Sequence, residues 1–150
     1  MVIAITGSAK GSVPKEFVFQ ALVSYIGKGH NWILGGAKGV DQFALEYLMD
    51  CAEEFEVIVP GKIGNCTVRP FDGGRSVRET LEEVKLRVTE LNHPIPWITP
   101  AYLERNNKMV EKCELLLAFP RSDSKSGGTW YTIGKALDEG KSVKIFKCYK

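Results

Sequence analysis

With 150 residues, 44% of them hydrophobic and 25% charged, the chain has the length and composition of an ordinary globular domain. Its net charge of +2 is too small to demand a nucleic acid or a membrane surface as partner, and no apolar run approaches the length of a membrane span. Cys51, Cys66, Cys113 and Cys148 show no CxxC spacing and only two His accompany them, so no metal site is expected.

Met1 leads directly into Val2–Thr6, an apolar, β-branched run that reads as a buried strand rather than a signal peptide. A cytoplasmic location with free thiols is therefore expected. The strand ends in Gly7 and Ser8. Pro14 suits the opening of a helix, and Phe17, Val18, Ala21, Leu22, Tyr25 and Ile26 repeat at helical spacing. Asn31 to Leu34 is a second strand, closed by Gly35 and Gly36. A second helix over Lys38 to Ala52 follows from Val40, Phe43, Ala44, Tyr47, Leu48 and Cys51. Phe55 to Val59 is the third strand.

Gly, Pro, Asn and Asp are frequent from Gly61 to Arg75, which predicts a long loop of the kind that forms lids. Arg69, Arg75 and Arg78 cluster there as candidate anion contacts. Ser76 and Glu79 form a capping box, predicting a helix to about Leu91 through Val77, Leu81, Val84 and Val88. Thr99 and Pro100 read as an N-cap and a first-turn proline for a helix reaching Lys112. Leu115 to Phe119 is a short apolar strand. A polar loop, Arg121 to Ser126, leads to Gly127, Gly128 and Thr129 and then to a helix over Trp130 to Leu137. Ser142 to Phe146 is the last strand.

Strands alternating with helices imply a parallel sheet in one α/β domain over residues 1–150. The expectation is a three-layer α/β/α sandwich with a mainly parallel five-stranded sheet, order 3-2-1-4-5 counted along the sequence. Ligands of such sheets sit beyond the carboxyl ends of the strands, where the order reverses. Three glycine turns fall there: Gly7-Ser8, Gly35-Gly36 and Ser126-Gly127-Gly128-Thr129. Glycines admit close backbone approach, and the first N–H groups of a helix favour an anion such as phosphate.

Four pieces together carry a family resemblance: Ile5-Thr6-Gly7-Ser8; Gly35-Gly36-Ala37-Lys38-Gly39-Val40-Asp41 with Ala44; Arg105-Asn106 with Met109; and Ser126-Gly127-Gly128-Thr129 with Ala136. With them the chain resembles the SLOG superfamily of Rossmann-like proteins, in particular its small YspA-like branch. That superfamily includes LOG phosphoribohydrolases and the Rossmann domains of DNA-processing protein A. The first glycine loop of the family usually has Arg where Ala9 or Lys10 stands here. The resemblance implies a Rossmann-like fold and a nucleotide or nucleotide-derived phosphorylated ligand, with Arg105 contacting phosphate or ribose. The hydrolases carry a catalytic Glu at the place of Thr132, which cannot act as a carboxylate.

The residue set expected at the site is therefore Gly7, Ser8, Gly35, Gly36, Arg105, Ser126, Gly127, Gly128 and Thr129 for phosphate, with Arg105 and Asp41 as the catalytic pair if the chain hydrolyses an N-glycosidic bond. Asp41 is also placed to accept from a ribose hydroxyl. Asn106 is expected to bond backbone, Trp130 and Tyr131 to stack on a base or join the core, and Asp123 to be solvated. No cofactor is expected. The partner expected is a small nucleotide, with a homodimer or higher homo-oligomer compatible with the resemblance. Single-stranded DNA binding is kept as the least favoured alternative, since the low net charge and the lack of a basic stripe make nucleic acid an unlikely partner.

Overall fold

The computed structural model describes residues 1–8, 13–37, 39–61, 88–94 and 99–149. Apolar, β-branched segments form the strands β1 (Val2–Gly7), β2 (Asn31–Leu34), β3 (Glu54–Val59), β4 (Val88–Glu90), β5 (Leu115–Phe119) and β6 (Ser142–Ile145). The helices are α1 (Lys15–Leu22), extended by a 3-10 turn over Val23–Tyr25, α2 (Val40–Asp50), α3 (Thr99–Lys112) and α4 (Gly128–Asp138). Every ladder in the sheet is parallel, and the order is β4-β3-β2-β1-β5-β6. This is a Rossmann-like arrangement.

Two faces of the sheet are covered, as side-chain alternation along β1 requires. Ile3 and Ile5 point to one side, where they pack with Val18, Leu22, Trp32, Ala44 and Leu48 beneath α1 and α2. Ala4 points to the other, with Met109, Val110, Leu116, Ile133 and Ala136 beneath α3 and α4. Burial of both faces explains why the central strands read as continuous apolar runs rather than alternating ones.

The sheet has six strands rather than the five expected. Val88–Glu90, read as the end of a helix, pairs with β3 through Val57↔Val88, Ile58↔Thr89 and Val59↔Glu90. Val88 and Leu91 continue the helical spacing of Val77, Leu81 and Val84, and a three-residue strand is too short for alternation to reveal it. The Thr89 hydroxyl also donates to Glu56 across this pair. The rest of the expected helix, and the arginines Arg69, Arg75 and Arg78, lie outside the described residues, as do Ala9, Lys10, Lys38 and Cys66. The five expected strands keep their order, with β4 added outside β3. α3 ends at Lys112 as expected but includes Thr99 itself, α1 stops at Leu22 with a 3-10 turn to Tyr25 where helix to Gly27 or Gly29 was expected, and Pro14 is the cap residue of α1 rather than its first turn.

Successive strands β1 to β4 step outward on one side of β1, and β5 returns to its other side. The reversal between β1 and β5 leaves a crevice at their carboxyl ends.

Candidate functional site

The first turn of the chain is tied into that crevice by its backbone. Ser8 N–H donates to the Phe119 carbonyl (3.2 Å), joining the ends of β1 and β5. The Ser8 carbonyl accepts from Val40 N–H (3.2 Å), at the start of α2. A strand end held this close to a helix start leaves no room for a side chain. A Cβ on Gly7 would stand 2.5 Å from Val40 Cβ and 2.6 Å from both its methyl carbons.

The second turn, Gly35 and Gly36, lies against α3. Arg105, in the second turn of α3, is only 6% exposed. Its Nη1 donates to the Gly35 carbonyl, and its Nε donates to Asn106 Oδ1 at 2.7 Å. The guanidinium also lies over the Tyr102 ring, 5.6 Å from its centroid. Asn106 therefore serves the neighbouring arginine through its oxygen, where a side-chain bond to backbone was expected. A Cβ on Gly35 would meet Arg105 Cζ at 2.9 Å and Asp41 Oδ2 at 3.0 Å, so the absence of a side chain there is what lets these two charged groups share one space.

Asp41 stands in the first turn of α2 and is 7% exposed. Its Oδ2 reaches back to accept from Ala37 N–H (3.3 Å), while Oδ1 is buried with no hydrogen-bond partner among the described residues. Burial pushes the carboxyl up to about 6, against the opposing pull of Arg105 and of the Ala37 N–H. The folded state thus holds this proton more tightly than the unfolded chain. The resulting stabilisation is complete below pH 3.8 and is lost as pH rises through about 6. From this one group, stability is expected to fall by roughly 3 kcal/mol from acid to neutral pH. Chemical denaturation of the wild type and of Asp41→Asn at pH 4.5 and 7.5 checks this. An unchanged difference between the two proteins at both pH values would overturn it.

The third turn opens α4. Gly127 is the cap residue with φ +89°, a left-handed conformation that suits glycine, and no side chain caps the helix. The first helical bond is Tyr131 N–H to the Gly127 carbonyl (3.1 Å), so the amides of Gly128, Thr129 and Trp130 precede the helical ladder. The preceding loop is braced twice. Trp130 Nε1 donates to the Ser122 carbonyl (2.8 Å). Asp123, expected to be solvated, accepts from the Tyr149 hydroxyl (2.9 Å) and pairs with Lys147 (3.2 Å). Its carboxyl is held below the usual range by the Tyr149 hydrogen bond first and the Lys147 contact second. Ser122, Ser124 and Ser126 form a ladder of hydroxyls at 3.0 and 3.1 Å.

All three turns border one crevice of about 1010 Å³. Gly7, Ser8, Gly35, Gly36, Asp41, Arg105, Ser126, Gly127, Gly128 and Thr129 all line it, while the candidate anion contacts Arg69, Arg75 and Arg78 lie outside the described residues. Trp130 and Tyr131 line it as well, the former half-buried and the latter exposed. Sequence reasoning missed Tyr102, Arg121 and Lys125, which also line it. Arg121 and Lys125 could have been found from the polar loop already marked between strand and glycines. Tyr102 gave no signal beyond lying three residues before Arg105. Among the described lining residues Asp41 is the sole carboxylate, and the cations are Arg105, Arg121 and Lys125.

Thr132, at the place of the hydrolases' catalytic Glu, is fully buried and does not line the crevice. Its hydroxyl donates to the Gly128 carbonyl (2.8 Å). Among the described residues no cluster of His, Cys, Asp and Glu could hold a metal ion, and no helix is long and apolar enough to cross a membrane.

No family model matches the chain, and no curated protein matches it in sequence. Among the solved structures that share its fold are two DNA-processing proteins. DNA processing protein A from Helicobacter pylori, described for its single-stranded DNA binding mode, superposes with a TM-score of 0.73 at 18% identity, over 97% of this chain and 64% of that one. DNA processing protein A (DprA) from Streptococcus pneumoniae does so with a TM-score of 0.65 at 16% identity, over 95% and 49%. The chain thus spans about half to just under two-thirds of the length of these proteins. The expectation that nucleic acid is an unlikely partner is corrected here: a protein of this fold binds single-stranded DNA. A net charge summed over the whole chain misses the local balance at the crevice, where the described lining residues include three cations and one carboxylate.

Proposed function

We propose that the chain belongs to the SLOG group of Rossmann-like proteins and binds a nucleotide or nucleotide-derived ligand in the crevice at the carboxyl ends of β1, β2 and β5. The observation that carries this reading is the convergence of three sequence-distant turns, with an uncapped helix start among them, on one cation-rich crevice. The phosphate lies at the amides opening α4, where the helix dipole and Lys125 favour negative charge. Arg105 contributes its charge from beneath, with Nη1 and Nε engaged by the Gly35 carbonyl and Asn106. The aromatic and apolar wall formed by Tyr102, Leu103 and Met109 suits a base.

A thermal-shift panel of nucleoside mono-, di- and triphosphates tests this. A ligand at a hundredfold excess over its Kd is expected to raise the melting temperature by at least about 5 °C. No shift with any nucleotide would remove the reading. Chromatography of the same mixtures for released base tests hydrolysis, for which Asp41 is the available carboxylate.

A second reading is favoured by the likeness to the single-stranded DNA binder from Helicobacter pylori. Here the nucleotide is one unit of a strand, with Arg121 and Lys125 on phosphates and Tyr131 against a base. Fluorescence anisotropy with an oligothymidylate at increasing salt separates the two. A strand is expected to bind with a steep salt dependence and to outcompete mononucleotides. Equal affinity of mononucleotide and strand would leave only the first reading.

A further inference from the structure

Building on the phosphate-binding reading above, we propose that anion binding in the crevice is coupled to uptake of a proton by Asp41, so that the Asp41–Arg105 pair acts as a proton-linked gate on the charge of the ligand. The geometry is unusual for a simple phosphate pocket. Asp41 and Arg105 are both more than nine-tenths buried, and both stand against the same face of Gly35. An ionised Asp41 offsets the very charge that would attract the ligand. When Asp41 is protonated, that charge acts on the crevice unopposed.

The surroundings of Asp41 single it out as the group that responds. From α3 it is faced by Arg105, with Tyr102 and Asn106 behind. Among the described residues of the turn after β2 the groups that face the pair are backbone, the Gly35 carbonyl bonded to Arg105 and the Ala37 amide bonded to Asp41 itself. From the turn after β1 come Gly7 and Ser8, which carry no charge. Arg121 and Lys125 line the same crevice from the loop before α4. Neither His30 nor His93 lines the crevice. Asp41 Oδ1 also lacks a hydrogen-bond partner among the described residues, so the ionised form is poorly held and the protonated form is readily reached. Burial has already moved this carboxyl to about 6, and an anion bound in the same crevice moves it further in the same direction.

Sulfate is a suitable probe because its charge is constant over the range of interest. Its affinity is measured by isothermal titration calorimetry at pH 5.0 and 7.5, at ionic strength held with chloride. The expected result is binding about tenfold tighter at pH 5.0, the size of a charge–charge effect at partly buried separations. Asp41→Asn is expected to bind equally at both pH values, near the wild type's affinity at pH 5.0. In the wild type, titrations at pH 6.5 in two buffers of different ionisation enthalpy are expected to show proton uptake on binding. This measurement needs no variant and stands even if Asp41→Asn does not fold. Equal wild-type affinity at both pH values, no proton uptake, or a pH slope retained in Asp41→Asn would each overturn the proposal while leaving phosphate binding intact. Absence of sulfate binding at every pH would overturn the phosphate reading itself, and the proposal with it.

Discussion

Arg105→Met is expected to destabilise the protein by about 3–5 kcal/mol at pH 8 and to abolish binding of any phosphorylated ligand. The guanidinium is buried between α3 and the turn after β2. Removing it leaves the Gly35 carbonyl and Asn106 Oδ1 short of a donor, and leaves Asp41 ionised without its neighbouring positive charge. An unsatisfied buried acceptor costs on the order of 1–3 kcal/mol, and a buried charge stripped of its partner costs more. The second part depends on pH. Below about 6 the Asp41 carboxyl is protonated, so the loss is expected to shrink to that of the hydrogen bonds, about 2 kcal/mol at pH 5. Urea unfolding of wild type and variant at the two pH values measures both parts. An equal loss at pH 5 and pH 8 would show that the two side chains do not sense each other. Arg105→Lys is not expected to restore the protein, because a single ammonium cannot bond Gly35 and Asn106 with the planar fork that bridges them.

Gly7→Ala carries the other large effect, about 3 kcal/mol or more of lost stability. The added methyl would meet Val40 at its Cβ, an atom fixed by the backbone of α2, and at both branches beyond it. No rotamer change of Val40 can relieve a contact to Cβ. Relief requires α2 to move away from β1, which breaks the 3.2 Å bond from Val40 N–H to the Ser8 carbonyl and shifts Asp41 with the helix. The double variant Gly7→Ala/Val40→Ala keeps the Cβ contact and is expected to recover only part of the loss, whereas Gly7→Ala/Val40→Gly is expected to recover more of the packing. Thermal unfolding of the three proteins checks the order. Wild-type stability in Gly7→Ala would mean that the helix stands farther from the strand than its hydrogen bond implies.

The pattern of apolar runs, caps and glycines carried most of the architecture. Ile3, Ile5, Leu116, Leu117 and Phe119 read as strand because both faces of a parallel sheet are buried, and the structure buries all five. The order of five strands followed from the right-handed crossover that links parallel neighbours. Val88–Glu90 was not legible, because a short edge strand shows its identity only through its partner. At the site, the glycines of three turns were visible as letters, but their reasons differ. Gly7 and Gly35 make room for protein side chains, while Gly127 supplies a left-handed turn. A glycine in sequence shows that space or rotation is required and not what occupies the space.

Local chemistry thus determined, from the chain of letters alone, where strands and helices lie, that the sheet is parallel, and which turns end up on its carboxyl edge. Those are short-range or topological consequences, set by residue spacing and by the handedness of the backbone. The tertiary structure decided the electrostatics. Asp41 and Arg105 are 64 positions apart in the sequence, and only the fold brings them together over the bare backbone of Gly35. The shifted proton affinity of the one, and the engagement of the other with Gly35 and Asn106, come from burial and distance, which no spacing of residues along the chain encodes.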